Sequence, residues 1–554
     1  MKSTFALLRW WLWVNILCLP SSLVGQVIIP QQKIVANDRS MYAYFGSAVA
    51  LSGDYMVVGA PNEDKDAQGL NPVSLAGAAY VFQRQPNGDW QQTAKLVLSD
   101  RQPNERFGNQ VAISGSTILV SAPLYESPGL SRHGRVICFD RASDGRWWRT
   151  DSVYPFDTGG GNFGSKLALD GNAAVIGMSL LWPYGGPVYV YHRTGSWLAW
   201  DLQAQLTPVD GIDYGYPTTT FGSSLSIWQK RIAVGSWSDN LPDNGRPERP
   251  GSRGAVYLFD FNDGDGQWHR TAKIRPTKQI SSEAWYGFGY QVSVFRDRCL
   301  ITSGYPYYDP ITSRFYEAYI FHRQKTGNWA FEAQLTSVPA FASTRNYLLS
   351  AALTDSFALL GIGSNDSDAS GDFVQSGMGA AHLFQRTDTT WHHTAKLIPY
   401  DAPSPGSFGG EFGGAVALSA QEAVIGAARE SRDSYGLAPL SYAGAAYVAN
   451  LGGVSKLGSG RIGAEPLANK RQWQVSPNPV SHTLTIRLQA TADEPITLTL
   501  LNSQGIVITS QQVHAGTGFQ EINWPVSKLP AGMYWVKAVI NGQQTTQRVL
   551  KISD

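Results

Sequence analysis

From residue 45 to residue 450 the chain is built of short runs in which apolar and polar residues alternate, broken by Gly, Asn and Asp turns. A period of two puts every second side chain on one face and predicts β-strands rather than helices. Marks return in fixed order. The first is Phe-Gly leading an alternating run, at Phe45-Gly46, Phe107-Gly108, Phe163-Gly164, Phe221-Gly222, Phe288-Gly289 and Phe412-Gly413, with a degenerate copy at Tyr347-Leu348. The second is a run ending in small residues: VVGAP (57–61), LVSAP (119–123), VIGMS (175–179), IAVGS (232–236), ITSGY (301–305), LLGIG (359–363) and VIGAA (424–428). The third is a Gly-led run such as GAAYVFQR (77–84) or GAVYLFDF (254–261). A tryptophan such as Trp90, Trp268 or Trp391 then opens a fourth run, for example TAKLVL (93–98).

Four short antiparallel strands repeated in seven units predict an all-β fold, a seven-bladed β-propeller. Blades start near residues 45, 107, 163, 221, 288, 347 and 412. The phenylalanines are expected between neighbouring blades, and the small residues where the chain crowds near the axis. The seventh unit has no fourth run after Asn450. QKIVAND at 32–38 matches AKLVLSD at 94–100, so the first strand of the chain is expected to close the last blade. An open stack would need polar caps instead.

In such a blade the second-to-third and fourth-to-first connections leave from one face. These are the long, varied ones, while the turns of the other face are short, as at Ser52-Gly53-Asp54. Loops on a rigid scaffold commonly carry recognition, and aromatic residues beside polar ones suit it. The candidate ligand-binding residues are Trp182, Tyr184, Tyr214, Tyr216, Trp237, Asp239, Trp285, Tyr305, Tyr307 and Tyr308. Oxygen ligands at alternate positions suit calcium. Asn62, Asp64 and Asp66 in the first long loop, and Asp366, Asp368 and Asp372 in the sixth, are its candidate ligands, although neither loop has a closing bidentate carboxylate. No other cofactor is indicated.

Composition narrows the function classes. Net charge is +1, with 44 basic and 43 acidic residues, so bulk charge draws the chain to neither nucleic acid nor an anionic membrane. No Walker loop, dinucleotide fingerprint or His-Asp-Ser pattern is present, and no catalytic residue is assigned. Lys2 and Arg9 precede an apolar run from Trp10 to Pro20 and then small residues, which reads as a signal peptide over 1–25. A lipoprotein reading at Cys18 is disfavoured by the bulky Leu17. No further stretch is long and apolar enough to span a bilayer as a helix. Cys138 and Cys299 stand in different units and are expected as buried free thiols.

Residues 451–472 are rich in Gly and Ser and read as a linker after a 26–450 propeller. From 473 to 554 the pattern changes to alternating runs with NSQG, AG and NG turns, which predict a small immunoglobulin-like β-sandwich. The repeat over 32–450 resembles the FG-GAP repeat of integrin α-chain propellers and of bacterial exported proteins. That resemblance implies adhesion or ligand binding. Calcium-binding members carry an Asp-rich loop between Phe-Gly and Gly-Ala-Pro, where this chain has only a tight turn. Ser476-Pro477-Asn478-Pro479, Asn502, Gly505, Leu529-Pro530-Ala531-Gly532-Met533-Tyr534 and Lys551-Ile552 resemble the type A sorting domain of the Bacteroidota type IX secretion system. It implies the type IX machinery as a partner of residues 473–554, and a secreted or outer-surface location. The function expected is a binding or adhesion module for an extracellular glycan or protein. A matrix protein without a discrete ligand, or a propeller hydrolase or lyase, are the alternatives.

Overall fold

The computed structural model describes residues 26–28, 30–127, 129, 132–155, 161–178, 186–193, 199–208, 220–239, 254–276, 287–304, 317–335, 348–363, 377–399, 410–434, 439–451, 473–476, 482–490, 494–502, 507–515, 518–530, 532–540 and 543–551. The chain divides into two compact units, Met1–Gly458 and Ser459–Asp554. The first unit holds seven sheets, each with four antiparallel strands in up-and-down order as the alternating runs predict, and one of them carries a fifth strand. Blade 1 is Ala48–Ser52, Tyr55–Ala60, Ala78–Arg84 and Trp90–Leu96. Blade 4 is Ser224–Trp228, Arg231–Ser236, Ala255–Asn262 and Gln267–Ile274. The first strands of the seven sheets follow one another in a closed circuit, with Ala415–Leu418 of blade 7 lying against Ala48–Ser52 of blade 1. This is a seven-bladed propeller.

The core lies between the blades. Phe45 packs with Tyr80 and Phe82 of its own blade and with Val424 and Ala446 of blade 7. Its ring meets the Tyr80 ring edge-on at 5.3 Å. Glycine follows each phenylalanine for a steric reason. Gly46 has φ +95°, and a Cβ there would sit 2.2 Å from the Ala445 carbonyl of the preceding blade. Its N–H donates to the Gly59 carbonyl at 2.9 Å, which ties the Phe-Gly mark to the Gly-Ala-Pro mark within one blade. A Cβ on Gly59 would in turn lie 2.0 Å from the Gly108 carbonyl of blade 2. The small residues therefore answer crowding by the next blade.

The N-terminus contributes two strands. Gln32–Ile34 is antiparallel to Ala445–Asn450, with Lys33 opposite Tyr447, and makes the fourth strand of blade 7. Gln31 and Gln32 add side-chain bonds: the Asn450 N–H donates to Gln31 Oε1 at 2.6 Å and the Trp90 N–H to Gln32 Oε1 at 2.8 Å. The preceding strand, Gln26–Ile28, runs parallel to Thr390–Leu397 and adds a fifth strand to blade 6, which the repeat pattern gave no reason to expect.

The second unit has a three-stranded sheet, Trp473–Ser476, Thr483–Ala490 and Gly518–Pro525, and a four-stranded sheet, Val507–Ala515, Glu494–Asn502, Gly532–Ile540 and Gln543–Lys551. Leu484, Ile486 and Trp524 of the first share one core with Leu498, Val536 and Val549 of the second. Two sheets facing across one apolar layer make a small β-sandwich.

Candidate functional site

Among the described residues, the seams of blades 7 and 1, 1 and 2, 2 and 3, and 6 and 7 share one backbone device on the long-loop face: the end of the second-to-third loop zips onto the residues that enter the next blade. At the seam of blades 7 and 1, the Tyr42 N–H donates to Ser441 O at 2.7 Å, Tyr44 to Tyr442 O at 3.1 Å and Phe45 to Ala443 O at 3.1 Å. At the seam of blades 1 and 2, Asn104 donates to Ser74 O, Arg106 to Leu75 O and Phe107 to Ala76 O in the same way. The zipper forces left-handed backbone at Tyr42, Tyr44 and Tyr442 (φ 59°, 55° and 51°), and likewise at Asn104, Arg106 and Leu75. Non-glycine residues in that region carry strain and persist only where their surroundings over-determine them. These two seams thus each bring three positions together: the third residue before Phe-Gly, the residue immediately before it, and the residue two before the loop-closing glycine.

Between these two seams the backbone is alike and the side chains differ. Blades 7 and 1 bring together three tyrosines. Tyr44 stacks on Tyr442 with centroids 5.8 Å apart, and Tyr42 meets Tyr442 edge-on at 5.7 Å. Tyr42 is 49% exposed and its neighbour Met41 55%. The Arg429 guanidinium lies 5.9 Å from the Tyr442 centroid and pairs with Glu411 at 3.1 Å. Burial pushes the Glu411 carboxyl up, against the pull of Arg429. The result is a partly exposed aromatic platform with a donor and an acceptor at its edge, held by backbone bonds from two blades.

Beneath this face lies a recurring buried group. In blade 4, Asp239 accepts from the Tyr257 hydroxyl and from Lys273 at 3.2 Å, and the Lys273 ammonium lies 4.7 Å from the Tyr257 centroid. In blade 1, Lys95 pairs with Asp38 at 2.6 Å and Glu63 at 3.2 Å, above the Tyr80 ring. In blade 7, Lys33 pairs with Glu430 at 3.4 Å above the Tyr447 ring. Burial first, and the adjacent carboxylate second, push the Tyr80 and Tyr257 hydroxyls far up. These groups fasten the start of the long loop to the third and fourth strands.

Of the residues picked out in the sequence, Asp239 is fully buried in this group, and Trp237 is half-buried at the start of the same loop. Asp64 Oδ1 accepts from the Leu75 N–H at 2.7 Å. Asp66 Oδ1 accepts from Gln68 and Leu70 N–H groups, and its Oδ2 from Asn71 at 2.7 Å. Both carboxylates therefore cap their own loop, and the Leu70 bond, with the other donors, holds Asp66 below the usual carboxylate range. The Asn62 N–H donates to Ala43 O at 3.3 Å. Trp182, Tyr184, Tyr214, Tyr216, Trp285, Tyr305, Tyr307, Tyr308, Asp366, Asp368 and Asp372 lie outside the described residues. Among the described residues no three His, Cys, Asp or Glu side chains gather as a metal site. The tyrosine cluster escaped the sequence reading. Its signal is the residue before each Phe-Gly, which varies as Tyr44, Arg106, Asn162, Thr220, Gly287 and Glu411 while the mark itself is constant.

Two family models match the chain. The FG-GAP repeat matches residues 30–82 and 90–136, and the secretion system C-terminal sorting domain matches residues 474–552. No curated protein matches the chain. Among solved structures, a putative 6-phosphogluconolactonase from Bacteroides uniformis is similar at 10% identity over 64% of this chain and 85% of that one, with a TM-score of 0.36. PorZ, a surface component of the type IX secretion system of Porphyromonas gingivalis, is similar at 12% identity over 91% and 75%, with a TM-score of 0.25. An α-L-arabinofuranosidase from Fusarium graminearum is similar at 13% identity over 60% and 90%, with a TM-score of 0.31. At such scores none of the three bears on the activity of this chain. The repeat matches and the tail match, with the seven sheets, make this chain a secreted or cell-surface FG-GAP-repeat protein bearing a type IX secretion sorting domain.

Proposed function

We propose that residues 26–450 are the cargo and residues 473–554 the export address, and that the cargo binds an extracellular glycan or protein through its long-loop face. The observation that carries the reading is the Tyr42, Tyr44 and Tyr442 cluster with the Arg429–Glu411 pair at its edge. Rigid aromatic rings with an adjacent charged pair are the side-chain set that dominates recognition surfaces, and here a strained backbone fixes them in advance. The opposite face supports no comparable reading, because its turns are short and glycine-tipped, as at Gly53, Gly115 and Gly171.

The test is a binding screen of the purified full chain against neutral and acidic polysaccharides and extracellular-matrix proteins. A ligand captured by the native protein should be lost, by about tenfold or more in affinity, on Tyr44→Ala or Tyr442→Ala. Retention of every captured ligand by both folded variants would remove this face from consideration.

A further inference from the structure

The blade 2 side of the long-loop face carries a cavity of about 410 Å3, lined in part by Pro61, Arg106, Asn109, Pro123, Leu124 and Ser165. The six residues come from three successive blades, so the cavity exists only because the seams bring those loops together. Its size falls in the range of about 300–1,000 Å3 usual for small-ligand sites.

Arg106 is the unusual member. Its neighbour Glu105 turns inward and pairs with Arg135 at 2.7 Å, with both side chains fully buried. Arg135 is also held by Asp100 at 2.6 Å. The charges of Glu105 and Arg135 are thus consumed beneath the surface. Among the described residues the half-exposed Arg106 guanidinium has no ion-pair or hydrogen-bond partner, although it lines a concave site. The backbone that carries it is fixed: the Arg106 N–H donates to Leu75 O at 3.2 Å, its carbonyl accepts from Asn109 N–H at 3.1 Å, and φ is +59°. A strained, doubly tethered position that presents an unneutralised cation into a cavity is an anion site in waiting.

The rest of the lining selects the kind of anion. Two prolines and a leucine in the lining supply apolar surface suited to the C–H face of a sugar ring. The Asn109 amide offers a donor and an acceptor to ring hydroxyls, and Ser165, whose hydroxyl donates to Gly177 O at 3.4 Å, keeps acceptor capacity. The planar fork of arginine matches a carboxylate.

We propose that this cavity binds the carboxylate-bearing sugar of an acidic polysaccharide, with Arg106 as the anion-binding residue. The proposal rests on the reading of the long-loop face as a ligand face and adds the class of ligand and the residue that selects it.

Affinity electrophoresis of the full chain in gels containing alginate or polygalacturonate, against neutral dextran, sulfated dextran and carboxyl-reduced polygalacturonate, tests it. The uronate polymers should retard the native protein and the other three should not. Arg106→Gln should weaken that retardation by about tenfold or more. Arg146→Gln, which removes the same charge from a residue whose side chain is 75% exposed on a short turn of the opposite face, should leave it unchanged. Uronate binding that survives Arg106→Gln, or that falls equally with Arg146→Gln, overturns the proposal, as does no retardation by either uronate. Preference for sulfated dextran overturns the carboxylate assignment. Retardation by neutral dextran that Tyr44→Ala abolishes and Arg106→Gln does not would leave the ligand face standing and sink the acidic-sugar site. Melting temperatures of the variants matching the native value exclude misfolding as the cause.

Discussion

Lys33, in a strand at the beginning of the chain, is buried 3.4 Å from Glu430, in a loop of the last blade. It faces Tyr447 directly across the two strands. Blades 1 and 4 hold the same acid, tyrosine and lysine with all three members drawn from one stretch of chain, whereas blade 7 borrows its lysine. Removing one partner of a buried pair leaves the other charge uncompensated. Arg432 also reaches Glu430 at 3.0 Å and softens the loss. Lys33→Met is therefore expected to destabilise the first unit by about 3 kcal/mol, the low end for such breaks. Urea unfolding checks this, and the double variant Lys33→Met with Glu430→Gln should cost less than the two singles summed.

The interlock of successive blades makes a second prediction. Gly59 faces the Gly108 carbonyl so closely that Gly59→Ala requires two blades to separate. Overpacking of this kind costs about 1–3 kcal/mol, and backbone against backbone belongs at the upper end. Gly53→Ala is the control, because its φ is +56° but nothing lies within 4 Å of the added Cβ. Strain alone, about 1 kcal/mol, is expected there. Equal unfolding midpoints for the two variants would count against the interlock.

What the sequence made legible was whatever repeats locally. Period-two alternation and the Phe-Gly mark located the blades, because every blade must solve the same packing problem, the one Phe45 and Gly46 solve. The tail was legible because Leu529 to Tyr534 and Ser476 to Pro479 form a compact signature. The parallel strand Gln26–Ile28 was not, since three residues outside the repeat carry no period. The buried groups were hidden because Asp239, Tyr257 and Lys273 are distant in sequence and each is unremarkable alone. Asp239 read as a loop acid beside Trp237, and only the register of the third and fourth strands shows its partners. The seam tyrosines were hidden because the position before Phe-Gly varies freely, and variation at one place is visible only when the seams are superposed.

Cys138 and Cys299 should be inert in the folded protein. Burial, opposed by Arg231, pushes the Cys299 thiol up to about 12, and burial raises Cys138 well above its ordinary value. Both are free and buried, so little thiolate exists at neutral pH and reagent has no path to it. A thiol reagent should modify neither in the native state and both after denaturation. Rapid native labelling of either would show that its blade opens.

Blade 6 carries a histidine at the tyrosine position of the acid, tyrosine and lysine grouping, and that departure predicts acid sensitivity. His382 stands opposite Lys396 where blades 1, 4 and 7 have tyrosine opposite lysine. Its Nδ1 is 3.0 Å from His393 Nε2, and His382 is buried. Burial first, then the neighbouring His393 and Lys396, hold His382 well below its ordinary 6.5, and burial with Lys396 lowers His393 as well. A depressed folded value means that the unfolded chain takes up protons first as pH falls. The contribution to stability is intact above about 6.5 and declines as pH drops from there toward the folded values. The melting temperature should therefore fall below that point. His382→Tyr removes one of the two titrating groups, restores the tyrosine and lysine pair, and should flatten the decline. A native and a His382→Tyr profile that fall in parallel would show that this histidine pair is not what titrates.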